Sequence, residues 1–497
     1  VKRALISVYE KRGIESFARG LQEAGWELYS TGGTYRFLAG EGIKVKKLEE
    51  LTGFEKLLGG RVKTLHPAVF AGILARRDSD AREMERMGFP SFDLVVVNLY
   101  PFTDAVKKGL DGEELIEMID IGGVALIRAA AKNHRWVTVV THPEDYLPVL
   151  EEIQKYGHTS PETRKRLAAK AFALTSFYDA SIFWTFNQEK LPAFFPANFA
   201  KYQDLRYGEN PHQEAAFYVS PFSLWREMVV LQGKKLSFNN IADLAAAWEM
   251  AMDFEETFCA IFKHQNPCGA ALGETPAEAY RKALEGDPQS AFGGIVALNR
   301  EVDVETAEEM KKTFLEVIVA PSFSAEAREI LKKKKNLRLV QIPFQRRYPY
   351  EGRLVEGGML VQERDSFTEE DFRIDWVVKP EPVPWQDIRL AIKIAKALKS
   401  NSAALAKEGM MVGGCGGQTS RVEAVRIACS RAGERARDAV LASDGFFPFP
   451  DSIEVAHSHG VAVVVAPGGS RRDPEVAARA RELGIGFGFI SRRHFRH

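Results

Sequence analysis

Two stretches of this chain repeat each other, and the repeat restricts the fold more than any other feature. Gly273-Glu274-Thr275 followed by Glu278-Ala279-Tyr280-Arg281 is matched, with one extra residue, by Gly417-Gln418-Thr419 followed by Glu423-Ala424-Val425-Arg426. Val319-Ala320-Pro321 returns as Val465-Ala466-Pro467, and the two prolines lie 53 and 52 positions beyond Cys268 and Cys415. Register held over that distance implies two copies of one α/β unit. The stretch 345–385, with several Gly and Pro and little periodicity, reads as their connection. Two units that share a history often build a site where polar groups from both converge.

Ahead of the repeat, short β-branched runs alternate with amphipathic stretches: Arg3 to Val8, Gly13 to Ala24, Trp26 to Ser30, Tyr35 to Glu41. That rhythm predicts α/β with a largely parallel sheet. It continues through strands at Leu94 to Tyr100 and Trp136 to Val140, a helical stretch from Glu113, and two helical segments ending near Phe186. Asn187 to Leu205, with Pro192 and Pro196 and no clear periodicity, reads as a linker. With 497 residues the chain is too long for one ordinary core and suits two or three domains.

Charged residues make up 27% of the sequence, apolar ones 45%, and the formal net charge is zero, which gives no footing for nucleic acid or membrane as a partner. The longest apolar runs, such as Val461 to Pro467, are far below membrane-spanning length, and Val1 to Val8 lacks the h-region of a signal peptide. Cysteines at 259, 268, 415 and 429 form no disulfide pattern, so a reducing cytoplasm is the expected compartment.

In the first domain, Ser30-Thr31-Gly32-Gly33-Thr34 falls where a strand ends and a helix begins. Glycines there let backbone N–H groups approach an anion, though a plain turn reads the same way. Arg61-Val62-Lys63-Thr64-Leu65-His66-Pro67 sets two cations and a hydroxyl beside a rigid turn, either a solvated basic loop or a phosphate contact. Asp120-Ile121-Gly122-Gly123 places two glycines inside a helical pattern, a costly choice that needs a reason such as close backbone approach to a ligand. Ala130-Ala131-Lys132-Asn133-His134 ends that pattern on polar groups.

Taken together, Ser-Thr-Gly-Gly-Thr at 30–34, Glu-Leu-Thr-Gly-Phe at 50–54, Gly-Gly-Arg-Val-Lys-Thr-Leu-His-Pro at 59–67, Asn-Leu-Tyr-Pro-Phe at 98–102, Asp-Ile-Gly-Gly at 120–123 and Ala-Ala-Ala-Lys-Asn-His at 129–134 resemble the IMP cyclohydrolase half of the bifunctional purine biosynthesis family. The resemblance implies a methylglyoxal-synthase-like parallel α/β domain over 1–190. It points to Lys63, Tyr100, Asp120 and Lys132 as catalytic, with Ser7, Lys11, Thr31, Gly33, Thr34, Arg61 and Thr64 around the substrate phosphate. Lysines beside a phosphate stay protonated and suit oxyanion stabilisation, while Asp120 can orient or deprotonate the attacking carboxamide and Tyr100 relay a proton. The family's usual Ser-Val-Ser-Asp-Lys is here Ser7-Val8-Tyr9-Glu10-Lys11, so Tyr9 is not carried over.

In the second domain, Phe262-Lys263-His264-Gln265-Asn266-Pro267-Cys268 sets a cation and an imidazole ahead of a sharp turn. Pro267-Cys268 invites a zinc-deaminase reading, but position 271 is alanine and the second ligand is missing. Zinc is therefore not expected. Gly413-Gly414-Cys415-Gly416-Gly417 fits no ATP or NAD fingerprint, and Lys332 to Lys335 reads as a solvated helix end.

This half resembles the family's aminoimidazole carboxamide ribonucleotide (AICAR) transformylase, through Arg-Tyr-Gly-Glu-Asn-Pro-His (206–212), Phe-Lys-His, Ser-Ala-Phe-Gly-Gly (290–294), Lys-Ser-Asn-Ser (399–402), Ala-Ser-Asp-Gly-Phe-Phe-Pro-Phe (442–449) and Arg493-His494-Phe495. The implied fold over 200–497 is a pair of cytidine-deaminase-like α/β subdomains, 200–360 and 380–497. The resemblance further implies 10-formyltetrahydrofolate as co-substrate and an intertwined homodimer; a monovalent cation requirement stays open. Lys263, His264 and Asn401 are the implied catalytic residues, Arg206, Tyr207 and Arg493 hold the nucleotide, and Phe446, Phe449 and Asp451 flank the pterin unless the two rings are simply core. Either His264 or the substrate's own carboxamide takes the amine proton. The alternatives are a chain with one working site, or a nucleotide-binding protein without chemistry.

Overall fold

The computed structural model describes residues 1–54, 57–346 and 348–497. The chain divides into two compact units, Val1–Ala200 with Ser220–Phe222, and Lys201–Val219 with Ser223–His497.

The first unit is built on β1 (Arg3–Ser7), β2 (Glu27–Ser30), β3 (Lys46–Lys47), β4 (Leu94–Val97) and β5 (Thr138–Val140), in the order β3-β2-β1-β4-β5. Every pairing is parallel. All four residues of β4, Leu-Val-Val-Val, are buried, as expected of a strand covered by helices on both faces. Helix Ile14–Glu23 turns Ile14, Phe17, Ala18 and Leu21 onto the sheet. Helix Pro161–Phe186 starts at Ser160, whose Oγ accepts the Thr163 N–H at 3.1 Å, with Pro161 in the first turn.

The second unit begins with a two-stranded pair, β6 (Ala200–Leu205) and β7 (Ala215–Val219). Then come β8 (Val229–Gln232), β9 (Phe258–Lys263), β10 (Asn266–Leu272), β11 (Gly294–Leu298), β12 (Leu315–Ala320) and β13 (Arg338–Gln341). A hairpin follows, β14 (Tyr350–Val355) with β15 (Gly358–Glu363). The second copy consists of β16 (Ile374–Val378), β17 (Ala403–Lys407), β18 (Met410–Cys415), β19 (Val440–Ser443), β20 (Val463–Pro467) and β21 (Gly486–Ile490).

These two sets form one sheet in the order β16-β21-β20-β19-β17-β18-β10-β9-β11-β12-β13-β8, which reads the same from either end once the copies are equated. The copies meet edge to edge, Ala271 of β10 opposite Met410 of β18. One face carries a shared core under helices Phe238–Ala251 and Trp385–Ala397, with Trp248, Leu244, Ile388 and Ile392 buried in it. The opposite face carries a separate core for each copy, one around Tyr280 and Met310 and one around Phe447 and Ile453.

The copies share a packing device. A Cβ at Gly269 of β10 would lie 2.0 Å from the Ala283 carbonyl oxygen, and a Cβ at Gly413, the matching place in β18, 2.4 Å from that of Ala428. Glycine lets helices Pro276–Gly286 and Arg421–Ala432 sit directly on their strands.

Four sequence expectations need correction. The turns at 264–265 and 408–409 make Val412 the counterpart of Cys268, so Cys415, the origin used for the second copy, is not. The linker 187–205 ends in β6, and the connection 345–385 contains β14, β15 and the sheet-edge strand β16. Edge and hairpin strands face solvent on several sides, so their residues alternate poorly and leave no clear periodicity. The glycines 122–123 do not interrupt a helix but open one, Gly122–Lys132, after a short helix Gly112–Ile116.

Candidate functional site

In an open parallel sheet, ligands bind beyond the carboxyl ends of the strands where the strand order reverses. In the first unit that point lies between β1 and β4. A cavity of about 630 Å³ is found there, and Ser7, Lys11, Thr31, Gly33, Thr34, Arg61, Lys63, Thr64, Tyr100 and Asp120 all line it.

Several of these side chains also hold the rim together. Thr34 Oγ1 accepts the Val8 N–H at 3.1 Å and donates to the Val8 carbonyl at 2.9 Å, pinning the exit of β1 to the helix after β2. Lys11 Nζ donates to the Val8 and Tyr9 carbonyls, and burial pushes its pKa down. Arg61 pairs with Glu117 across the mouth. Asn98, which the motif reading passed over, braces the same loop, its Oδ1 accepting the Glu10 N–H at 3.0 Å and its Nδ2 donating to the Glu10 carbonyl at 3.0 Å.

Asp120 sits at the floor. Its Oδ1 accepts the Gly123 N–H at 2.7 Å, and its own N–H donates to the Tyr178 hydroxyl at 2.8 Å. That hydroxyl in turn donates to the Met118 carbonyl at 3.1 Å. A Cβ on Gly123 would come within 2.7 Å of Asp120 Oδ2, which explains the glycine. Burial raises the Asp120 carboxyl above its ordinary range, opposed by the Gly123 and Tyr100 backbone and by the charge of Lys63. Burial, then Asp120 and Tyr9, pushes the Tyr100 phenol up, so it remains a proton donor. Burial likewise pushes Tyr178 up to about 12. Tyr9 packs edge-on against Tyr100 with ring centroids 5.6 Å apart. No short motif could have found Tyr178, 58 positions from Asp120 in a helix. Lys132 stands apart: it is exposed at the last turn of Gly122–Lys132, while the first turn lines the cavity, a separation of about 15 Å along the axis.

In the second unit a cavity of about 680 Å³ opens beside the β10–β18 seam, with Lys263, His264 and Asp287 from one copy and Gly413, Gln418 and Arg431 from the other. Lys263 Nζ donates to the Phe292 carbonyl at 2.7 Å. Cys268 also faces this space, but burial pushes its thiol up to about 12 and its Sγ donates to the Ile261 carbonyl at 3.4 Å. Among the described residues no group of three His, Cys, Asp or Glu side chains is placed to hold a metal ion.

The other residues that the resemblance ties to formyl transfer do not line this cavity. Asn401 touches a residue that does, its Nδ2 donating at 2.9 Å to the carbonyl of Gln418. A third cluster gathers around Asp444, buried and paired with Arg421, with Oδ1 accepting the Ser402 N–H at 2.9 Å. The His494 N–H donates to the Asp444 carbonyl at 3.1 Å, so Asn401, Phe446 and Arg493 all flank residues that converge there. The Arg493 guanidinium lies 4.5 Å from the Phe495 ring centroid. Phe446 and Phe449 are 37% and 48% exposed, so core packing is not their role. Arg472 covers Phe449 at 4.7 Å, and Asp451 opens helix Asp451–Ser458. Arg206 rests on Tyr207 at 5.6 Å, following β6. Arg421, in the Gln-Thr-Ser-Arg run of the repeat, was not singled out from sequence; its burial and its partner distinguish it.

A parallel sheet with cations, hydroxyls and a half-buried carboxylate at its switch point, joined to a duplicated α/β unit with a Lys–His pair at its seam, defines a two-site α/β enzyme. The chain belongs to the AICARFT/IMPCHase bienzyme family, whose profile matches residues 130–431, and residues 13–125 match the MGS-like domain. It is 46% identical to the bifunctional purine biosynthesis protein PurH of Persephonella marina and 46% identical to that of a Thermoanaerobacter species, each over 100% of both chains. The protein of the same name from Bacillus cytotoxicus is 45% identical, again over 100% of both. The crystal structure of ForH is 42% identical, covering 37% of this chain and 95% of its own, with a TM-score of 0.33.

Proposed function

We propose that the chain carries out two successive steps of purine biosynthesis: formyl transfer from 10-formyltetrahydrofolate to the amine of AICAR, and closure of the formylated product to IMP with loss of water. The observation that carries this reading is the convergence of Lys63, Tyr100 and half-buried Asp120 in one cavity and of Lys263 with His264 in another.

Residues 1–190 are assigned ring closure and 200–497 formyl transfer, the latter in two subdomains, 200–360 and 380–497. In ring closure the carboxamide nitrogen attacks the formyl carbon. Asp120, made more basic by burial, accepts the proton that the nitrogen loses. The formyl oxygen becomes an alkoxide, stabilised by the Lys63 ammonium, and the Tyr100 phenol protonates it to a hydroxyl. The hydroxyl leaves as water with the proton held by Asp120, while the formamide nitrogen gives up its own proton to Tyr100 as the ring C=N bond forms. Holding the two groups face to face supplies much of the acceleration, since the reaction is intramolecular. Ser7, Thr31, Gly33, Thr64 and the helix N-terminus after β2 suit the substrate phosphate, Lys11, Thr34 and Arg61 exchanging internal partners for it.

In formyl transfer a weakly nucleophilic amine must lose a proton as its bond forms, and the folate nitrogen must gain one. His264, or the carboxamide of AICAR held by His264, moves that proton, and Lys263 stabilises the oxyanion. Asn401, Arg206, Tyr207 and Arg493 are assigned to substrate and Phe446, Phe449 and Asp451 to the pterin. Because Asn401, Phe446 and Arg493 flank the cluster around Asp444 and do not line the cavity of Lys263 and His264, a homodimer supplying the two sets from different copies is the favoured assembly. No helix among the described residues is long and apolar enough to cross a membrane, and the cytoplasm is the assigned compartment. The test is a coupled assay with AICAR and 10-formyltetrahydrofolate, following tetrahydrofolate and IMP. Both products support the reading. Closure of supplied formylated nucleotide without transfer reduces it to one activity, and no product from either substrate leaves a nucleotide-binding protein.

A further inference from the structure

We infer that Asp243 is a positioning residue for formyl transfer: its carboxylate holds the backbone of His264 and Gln265 in the left-handed conformation that sets His264 beside Lys263 in the cavity. The inference rests on the formyl-transfer reading above.

Lys263 pairs with Asn266, so β9 and β10 are joined by only two residues, His264 and Gln265. Both are left-handed, with φ of 52° and 60°. Such turns are the province of Asn-Gly, and a His-Gln pair adopts one only where its surroundings over-determine it. Asp243, in helix Phe238–Ala251, does so: Oδ2 accepts the His264 N–H at 3.2 Å and Oδ1 the Gln265 N–H at 2.8 Å. Asn266 Nδ2 donates to the His264 carbonyl at 2.8 Å and closes the turn from the other side.

The second copy contains the same device with a different occupant. Lys407 pairs with Met410 across Glu408 and Gly409, whose φ values are 53° and 75°. Asp387 Oδ2 accepts the Glu408 N–H at 3.0 Å and Oδ1 the Gly409 N–H at 2.7 Å. Lys407 Nζ donates to the Arg437 carbonyl at 2.8 Å, as Lys263 does to Phe292. The second copy keeps a glycine, which takes the conformation at little cost, and bears no imidazole. The first gives up the glycine and carries the imidazole, which leaves its geometry more dependent on the carboxylate. Asp387 is therefore a control within the same chain: equal as a brace, but under a turn without an acid–base group.

The test uses the full chain, with formyl transfer measured at saturating co-substrate for Asp243→Asn, Asp243→Ala and Asp387→Ala. Asp243→Asn retains one acceptor and is expected to lower kcat about tenfold; Asp243→Ala retains neither and is expected to lower it about a hundredfold. KM for the nucleotide is expected to stay within about twofold, because Asp243 does not touch it. Asp387→Ala should lower Tm as much as Asp243→Ala and leave kcat unchanged. A kcat for Asp243→Ala within about twofold of the parent, or an equal kcat loss in Asp387→Ala, would overturn the inference. No formyl transfer by the unsubstituted chain would refute the reading of the site instead, and in that case a crystal structure of Asp243→Ala with φ unchanged at 264 and 265 would still overturn the role of the carboxylate.

Discussion

Replacing Gly123 by alanine separates catalysis from stability in the first unit. The new Cβ would lie 2.7 and 2.8 Å from the two Asp120 carboxylate oxygens and 2.9 Å from Cγ, closer than atoms can sit, and the side chain is the part able to move. Asp120 must rotate away, losing the 2.7 Å bond from the Gly123 N–H and its alignment with the attacking nitrogen. A hydrogen bond to a charged acceptor contributes about 1.5–3 kcal/mol, so if the whole of it is lost from the transition state, ring closure slows by roughly tenfold to a hundredfold. Folding loses less, because Gly123 is in a helical turn where alanine is favoured over glycine by up to about 1 kcal/mol. Its φ is not left-handed, so alanine meets no backbone penalty. The assay is closure of formylated nucleotide by absorbance, beside thermal melts and formyl transfer on the same preparation. The expected result is a large fall in closure, a Tm within a few degrees of the parent and unchanged transfer. Closure at the parental rate would refute the placement of Asp120 at the reacting nitrogen.

Three further outcomes follow from the geometry. Since burial raises the Asp120 pKa, the fold disfavours its ionised form: the stability tied to the proton is fully present below the unfolded carboxylate pKa and lost as pH rises through the folded value. Asp120→Asn should therefore abolish closure while matching or exceeding the parent in Tm at pH 7, with the difference shrinking on titration to about pH 4; a variant clearly less stable at pH 7 would contradict this. Asp444→Asn leaves the buried Arg421 guanidinium without its counter-charge and should cost about 3–5 kcal/mol in urea unfolding. Gly413→Ala drives a methyl toward the Ala428 carbonyl and should cost about 1–3 kcal/mol, with Gly269→Ala similar, both read from denaturation midpoints.

Sequence showed most clearly what repeats or alternates. The buried run of β4 and the two copies of Gly-x-Thr followed by a helix are local patterns that survive folding, because helix-covered strands and helix starts impose them wherever they occur. The break before Asp120 was invisible for the converse reason: apolar residues on both sides of it keep a helical period, and the second helix opens on a carboxylate that folds back onto the N–H of Gly123. Tyr178 and Asp243 escaped notice because each acts through a contact made only in three dimensions, by a polar side chain on a helix whose spacing says nothing of its partner. Lys132, carried over from motif order, lies at the far end of its helix from the turn that lines the cavity, a placement that spacing does not convey.

The mirrored sheet lets each copy serve as a reference state for the other. Gly269 and Gly413, or Asp243 and Asp387, meet the same demand of backbone, so their tolerance to substitution measures what the architecture alone requires. At the turns the copies differ, His264-Gln265 against Glu408-Gly409, and any excess intolerance at the first pair measures selection for chemistry. A mutational scan of this one chain would thus divide constraint between fold and function by subtraction, without a second protein for comparison.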